Sequence, residues 1–138
     1  MATQTESSAQ PEQFQVKHES EVAERVSLGA VHGKRIFTPE DSVFESSVVA
    51  VLRNRIKAGE VNERHVHPDI EKVYYLLQGE CEIECGPWKR HGRAGDFIFF
   101  PAAIHHQIRS LGPDDLEFIV IQMKVLGTPR GLPEGQDA

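Results

Sequence analysis

Seven histidines stand in a chain of 138 residues, and four of them fall in two short segments. His65 and His67 lie in Arg64-His-Val-His-Pro68, and His105 and His106 follow Pro101-Ala-Ala-Ile104. In an extended backbone, residues two apart face the same side about 7 Å from each other, so His65 and His67 can close on one ion. His106 adds a third nitrogen if the fold brings the two segments together. Neutral imidazole suits zinc, iron, nickel or copper, and three imidazoles leave positions open for water and substrate, which makes a reactive rather than a structural metal site. A second grouping takes His67, Asp69 and His106 as two histidines and a carboxylate. It gives His65 no role, and Pro68 disturbs the strand alternation between its members.

Such side chains need a scaffold, and the chain supplies short apolar or alternating runs bounded by turn residues. Ser47 to Lys57 ends at Ala-Gly59, Val73 to Leu77 at Gln-Gly79, Glu80 to Cys85 at Gly-Pro87, Asp96 to Phe100 at Pro101, and Leu116 to Val125 at Leu-Gly127. Several short strands at spacings near ten, with turns between, indicate an all-β sandwich or barrel. Only Glu19 to Ser27 carries a hint of a helical turn. The uninterrupted apolar runs Phe97 to Phe100 and Phe118 to Val120 read as strands buried on both faces. Residues 1–13 are Ser/Gln/Glu-rich and too polar to offset ordering entropy, so a disordered leader is expected there. The Gly- and Pro-punctuated stretch 127–138 reads as a flexible tail, which leaves 14–126 as one domain.

A chain of this length holds one core. Fifteen Lys and Arg against twenty-one Asp and Glu give a net charge of −6, which argues against nucleic acid as the partner and favours a small molecule. No apolar run approaches a membrane span, and the first residues lack the basic flank and apolar stretch of a secretory signal, so a cytoplasmic location is expected. Cys81 and Cys85, four residues apart on an extended run, would lie about 13 Å from each other and read as free thiols.

Taken with their framing residues, the histidines resemble the two cupin motifs. Gly59, His65, His67, Glu71 and Gly79 follow the order of the first, and Gly95, Pro101, Ala103, His106 and Ser110 that of the second, with about fifteen residues between. The resemblance implies a single cupin double-stranded β-helix, a jelly-roll barrel. It implies a divalent metal ion, iron, manganese, nickel or zinc, held by His65, His67 and His106 with Glu71 as the carboxylate ligand. Dioxygenase, isomerase, lyase or cyclase chemistry on a small-molecule substrate is implied with it, and a homodimer is expected. The alternative is a non-catalytic barrel binding a sugar or other small anionic ligand.

The departures from the family pattern carry information. The family's carboxylate stands six intervening residues before the closing glycine, and here that position is Lys72, with Glu71 one place earlier. A shift of one residue on a strand turns a side chain to the other face, so Glu71 reaches the metal only if a bulge re-aims it. Three roles stay open for Lys72: a base or nucleophile beside the ion, a side chain swung out of a three-histidine site, or a replacement that abolishes metal affinity. Ala103 and Ser110 replace a glycine and an asparagine. With Lys72 inward, parity also turns Tyr74, Leu76 and Gln78 inward, and Ile108 and Ser110 join His106. Lys72 and Tyr74 are the candidate catalytic acid and base. Arg53 and Arg55 share one face of their strand and serve either as an anion clamp or as exposed charges. Phe97, Phe99, Phe100 and Phe118 are assigned to core packing, Cys81 and Cys85 to the inner face beside Ile83, and Trp88 to a turn anchor.

Overall fold

The computed structural model describes residues 13–41 and 44–132, and the architecture is the expected all-β jelly roll. Nine strands run in chain order: β1 (Glu24–Ser27), β2 (Val31–Phe37), β3 (Val48–Ile56), β4 (Ile70–Gln78), β5 (Glu80–Cys85), β6 (Trp88–Arg93), β7 (Phe97–Phe100), β8 (His106–Ser110) and β9 (Leu116–Lys124). They form a six-stranded sheet in the order β1-β2-β3-β9-β4-β7 and a three-stranded sheet in the order β6-β5-β8. Every named pairing is antiparallel. The segment thought helical holds only a single 3-10 turn, Glu19–Glu21, before β1 begins, because Arg25, Val26 and Ser27 pair with β2.

Side-chain alternation along the strands builds the core between the sheets. Leu52 and Ile56 on β3, Tyr74 and Leu76 on β4, Cys81 and Ile83 on β5, Ile108 on β8 and Leu116, Phe118 and Val120 on β9 are all buried. Tyr74 is stacked on Phe118 at 4.8 Å and meets Phe100 edge-on at the same distance. The chain crosses from the larger sheet to the smaller at Gly79, whose φ of +91° is open to glycine and whose missing Cβ would lie 2.7 Å from the Asp115 carbonyl oxygen. The framing glycine of the first motif is thus a packing requirement.

Several expectations about facing need correction. Phe100 and Phe118 are core residues, but Phe97 and Phe99 point outward with 73% and 50% of their surface exposed. Their parity on β7 is opposite to that of Phe100, so one strand cannot bury all three. Gln78 is exposed because the register of β4 slips between Leu76 and Gln78. Arg53 and Arg55 face outward: Arg53 pairs with Glu117 at 2.7 Å, and Arg55 with Glu24 and Asp115, so they form no clamp inside the barrel. Cys81 and Cys85 are free thiols, the first buried. Residues 1–12 of the expected leader and 133–138 of the expected tail lie outside the described residues. Within 127–132 the chain lies against the body, with Leu132 near Gly86 and Gly131 near Ala103. No helix among the described residues is long and apolar enough to cross a membrane.

Candidate metal centre

The loop between β3 and β4 carries His65 and His67, and β8 opens with His106. Main-chain hydrogen bonds bring them together: His65 N–H donates to the His106 carbonyl at 3.1 Å, and His106 N–H donates back to His65 at 2.8 Å. One step along, Ala103 N–H donates to the His67 carbonyl at 2.8 Å. Asn62 tightens the same loop, since its side-chain oxygen accepts from Ile108 N–H at 2.9 Å while its own N–H donates to the Ile108 carbonyl. Asn62 is 2% exposed, and sequence reasoning missed it, because an isolated asparagine in a polar loop gives no periodic signal.

The result is a group of three imidazoles whose ligand atoms lie within 4.8 Å of one another. The rings of His65 and His106 stand 4.2 Å apart, and Phe100 stacks on His106 at 4.7 Å, walling the group on the core side. Each of two rings has its tautomer set by a carbonyl. His65 Nδ1 lies 2.8 Å from the Glu63 carbonyl oxygen and His106 Nδ1 lies 3.1 Å from that of Ile104. A carbonyl only accepts, so Nδ1 carries the proton and Nε2 presents a lone pair. Both Nε2 atoms are buried and have no hydrogen-bond partner. Burial pushes all three imidazoles below the usual histidine range, His67 to about 4 and His106 to about 3, so at neutral pH they are uncharged donors.

Lys72 faces this group. Its Nζ lies 2.9 Å from His67 Nε2, the side chain is 4% exposed, and burial lowers its pKa to about 8. Tyr74, two residues along, also faces inward, but it lies within the aromatic core and burial raises the pKa of its hydroxyl. The expected carboxylate ligand is corrected: Glu71 stands across from Met123 on the outer face of β4 and lines a cleft of about 520 Å³ with Ser47, Lys124 and Thr128, outside the histidine group. No bulge interrupts β4 at this point, so parity decides its direction. Asp69, the carboxylate of the competing grouping, is engaged by Lys124 at 3.0 Å and is likewise outside the group. His18, His32 and His91 contact Ser20, Glu24 and Glu80, far from the site along the chain.

The donors present fit a divalent ion. Two buried, uncharged nitrogens whose lone pairs meet nothing cost about 1–3 kcal/mol each unless something accepts them, and a cation answers that need. The Glu63 and Ile104 carbonyls already hold the His65 and His106 rings in the ligating tautomer. His67 completes the set once Lys72 no longer donates to its Nε2.

Comparison with known proteins agrees with this architecture. The model of the cupin domain family matches residues 53–122. The chain is 24% identical over 95 residues to an oxalate decarboxylase of Bacillus subtilis, a match that covers 64% of this chain but only a quarter of that enzyme's length. Among solved structures, a predicted oxalate decarboxylase from Thermotoga maritima superposes with a TM-score of 0.72 at 21% identity, covering 80% of this chain and 100% of that one. A polyketide cyclase from Streptomyces resistomycificus superposes with a TM-score of 0.67 at 16% identity, covering 88% of each chain.

Proposed function

Because the chain belongs to the cupin domain family, whose barrel hosts many chemistries, we propose that it is a metal-dependent enzyme acting on a small molecule, with His65, His67 and His106 as the metal donors. The observation that carries this reading is the pair of buried Nε2 lone pairs on His65 and His106, aligned by carbonyls and met by no partner. A divalent ion held there supplies a Lewis acid for a substrate oxygen, with coordination positions left over for that substrate.

The chain's own residues supply the rest. Lys72 Nζ, next to His67 and with a pKa of about 8, both holds and releases a proton at neutral pH, and it is the acid and base we assign. As an ammonium it also draws an anionic group of the substrate toward the donors. Phe100 against His106 keeps one side of the group dry. Tyr74 serves as packing beneath Lys72, since its stack on Phe118 fixes it in the core. The substrate we propose is a small carboxylate with a neighbouring oxygen, and the reaction a lyase or cyclase step. Similarity to proteins named as an oxalate decarboxylase and a polyketide cyclase supports that choice over oxygenation.

Elemental analysis of untagged protein, repeated for His65→Ala and His106→Ala, tests the reading. Stoichiometric metal lost from both variants supports it; substoichiometric metal unchanged by either substitution refutes it. Saturable binding of small carboxylates by the metal-loaded protein without turnover would instead establish the non-catalytic alternative.

A further inference from the structure

The cleft of about 520 Å³ beside Glu71 lies outside the histidine group, and the chemistry assigned above makes no use of it. Trp88 at the start of β6, Ile104 in the loop before β8 and Leu132 from the C-terminal segment meet in its wall. They converge on Gly86, where a Cβ would lie 2.9 Å from Leu132 Cδ1, 3.1 Å from Ile104 Cγ2 and 3.6 Å from Trp88 Cζ3. A residue without a side chain is what lets these three come together. Ile104 is buried, but Trp88 keeps 55% of its surface exposed, so an indole stands at the cleft with half its area still to be covered.

Three charged side chains line the same cleft, Glu71, Lys124 and Arg130. Lys124 is engaged by Asp69 at 3.0 Å, and the two charges offset each other. Glu71 and Arg130 form no ion pair among the described residues, either together or with a third group. One charge of each sign therefore faces the cleft unanswered.

We propose that this cleft binds a free amino acid with an apolar side chain, its carboxylate on Arg130, its ammonium on Glu71 and its side chain against Trp88, Ile104 and Leu132. A simple anion satisfies Arg130 and is repelled by Glu71, a simple cation does the reverse, and a neutral apolar molecule answers neither charge. A small ligand carrying both signs matches both. A guanidinium takes a carboxylate through two parallel hydrogen bonds, and an indole offers a large apolar surface at low entropic cost. The volume falls within the roughly 300–1,000 Å³ of small-molecule sites, in which an apolar wall gives area and a few polar groups fix orientation. Ile104 lines the cleft with its side chain while its carbonyl lies 3.1 Å from His106 Nδ1. An amino acid bound here rests on the residue that orients a metal donor.

Trp88 is the chain's one tryptophan, so its fluorescence reports on the cleft. The test titrates the full chain with L-leucine, with 4-methylpentanoate, which lacks the ammonium, and with 3-methylbutylamine, which lacks the carboxylate. The expected result is a saturable change with leucine, and binding about tenfold weaker for either truncated probe. Glu71→Gln should weaken leucine about tenfold and leave 4-methylpentanoate no weaker, and Arg130→Gln should weaken leucine equally and leave 3-methylbutylamine no weaker, with far-ultraviolet circular dichroism and metal content unchanged. Lys72→Met and His65→Ala, which alter the barrel interior instead, should bind leucine as the wild type does. The absence of a saturable change would overturn the proposal, as would 4-methylpentanoate or 3-methylbutylamine binding as tightly as leucine. Leucine binding that ignores both charge substitutions, or that is lost in a natively folded barrel variant, would overturn it too.

Discussion

On the proposed function, the Lys72 ammonium and a metal ion would compete for the His67 Nε2 lone pair, and the structure sets the scale of that competition. With Nζ 2.9 Å from His67 Nε2, the lysine must give up its proton or its position before His67 can ligate. Its pKa of about 8 lies below the ordinary lysine value of 10.5 because burial disfavours the charge. At pH 7 the amine is still about nine-tenths protonated, and removing the proton costs about 1.4 kcal/mol, a factor of ten in metal affinity. At pH 6 the factor is about one hundred, and above pH 8 it vanishes. Lys72→Met keeps the length and apolar stem without the charge, so it should bind metal about tenfold more tightly than the wild type at pH 7, about a hundredfold at pH 6, and equally at pH 9. Competition of metal-free protein against a chelator for Ni²⁺ at the three pH values measures the ratio directly, since the chelator's own pH dependence cancels between the two proteins. The histidines do not blur the result, because burial holds His67 near 4 and His106 near 3, below the range of the series. A ratio that stays flat across the series would refute the competition. Weaker binding by Lys72→Met at pH 9 would show instead that the neutral amine is itself a ligand.

Other consequences are equally open to measurement. Because the folded His106 titrates near 3 and the unfolded one near 6.5, the unfolded chain alone takes up this proton as pH falls below 6.5, so stability is lost in that direction. Urea denaturation of metal-free protein should show about 2 kcal/mol less stability at pH 5 than at pH 7 from this residue, and His106→Gln should flatten that part of the profile. Gly79→Ala puts a Cβ 2.7 Å from the Asp115 carbonyl oxygen at a φ of +91°, and should lower stability by about 2–3 kcal/mol in the same assay. At Ala103, φ is +65°, so Ala103→Gly should relieve left-handed strain and raise stability by up to about 1 kcal/mol, read as a higher melting temperature.

Much of the site was legible because it depends on local rules. Two-residue spacing brought His65 and His67 together and parity turned Lys72 inward, where the structure has them, whereas the Glu71 ligand implied by the family resemblance gave way to that same parity. The family's glycine at the position of Ala103 corresponds to a left-handed backbone, which explains why that residue type is favoured there. Non-local facts did not show. The contact between Lys72 and His67 and the clasp by Asn62 depend on how a loop folds back on β8, which no periodicity encodes. Phe97 and Phe99 were misread because hydrophobicity reports that a face is to be covered, without saying whether the cover comes from the same chain. Residues 127–132 were read as free because Gly and Pro mark the absence of regular structure, which is different from the absence of contact.

The paired main-chain hydrogen bonds between His65 and His106 join groups that every amino acid except proline possesses. The frame of the centre is therefore indifferent to the side chains mounted on it, and a thiol, a carboxylate or an amide could replace either imidazole without unfastening the two segments. The barrel acts as a socket with interchangeable pins. Lys72 on β4, at the position where the cupin motif places a carboxylate, shows that the donor set around this frame is open to exchange, and the same socket could be re-equipped for other ions and ligands.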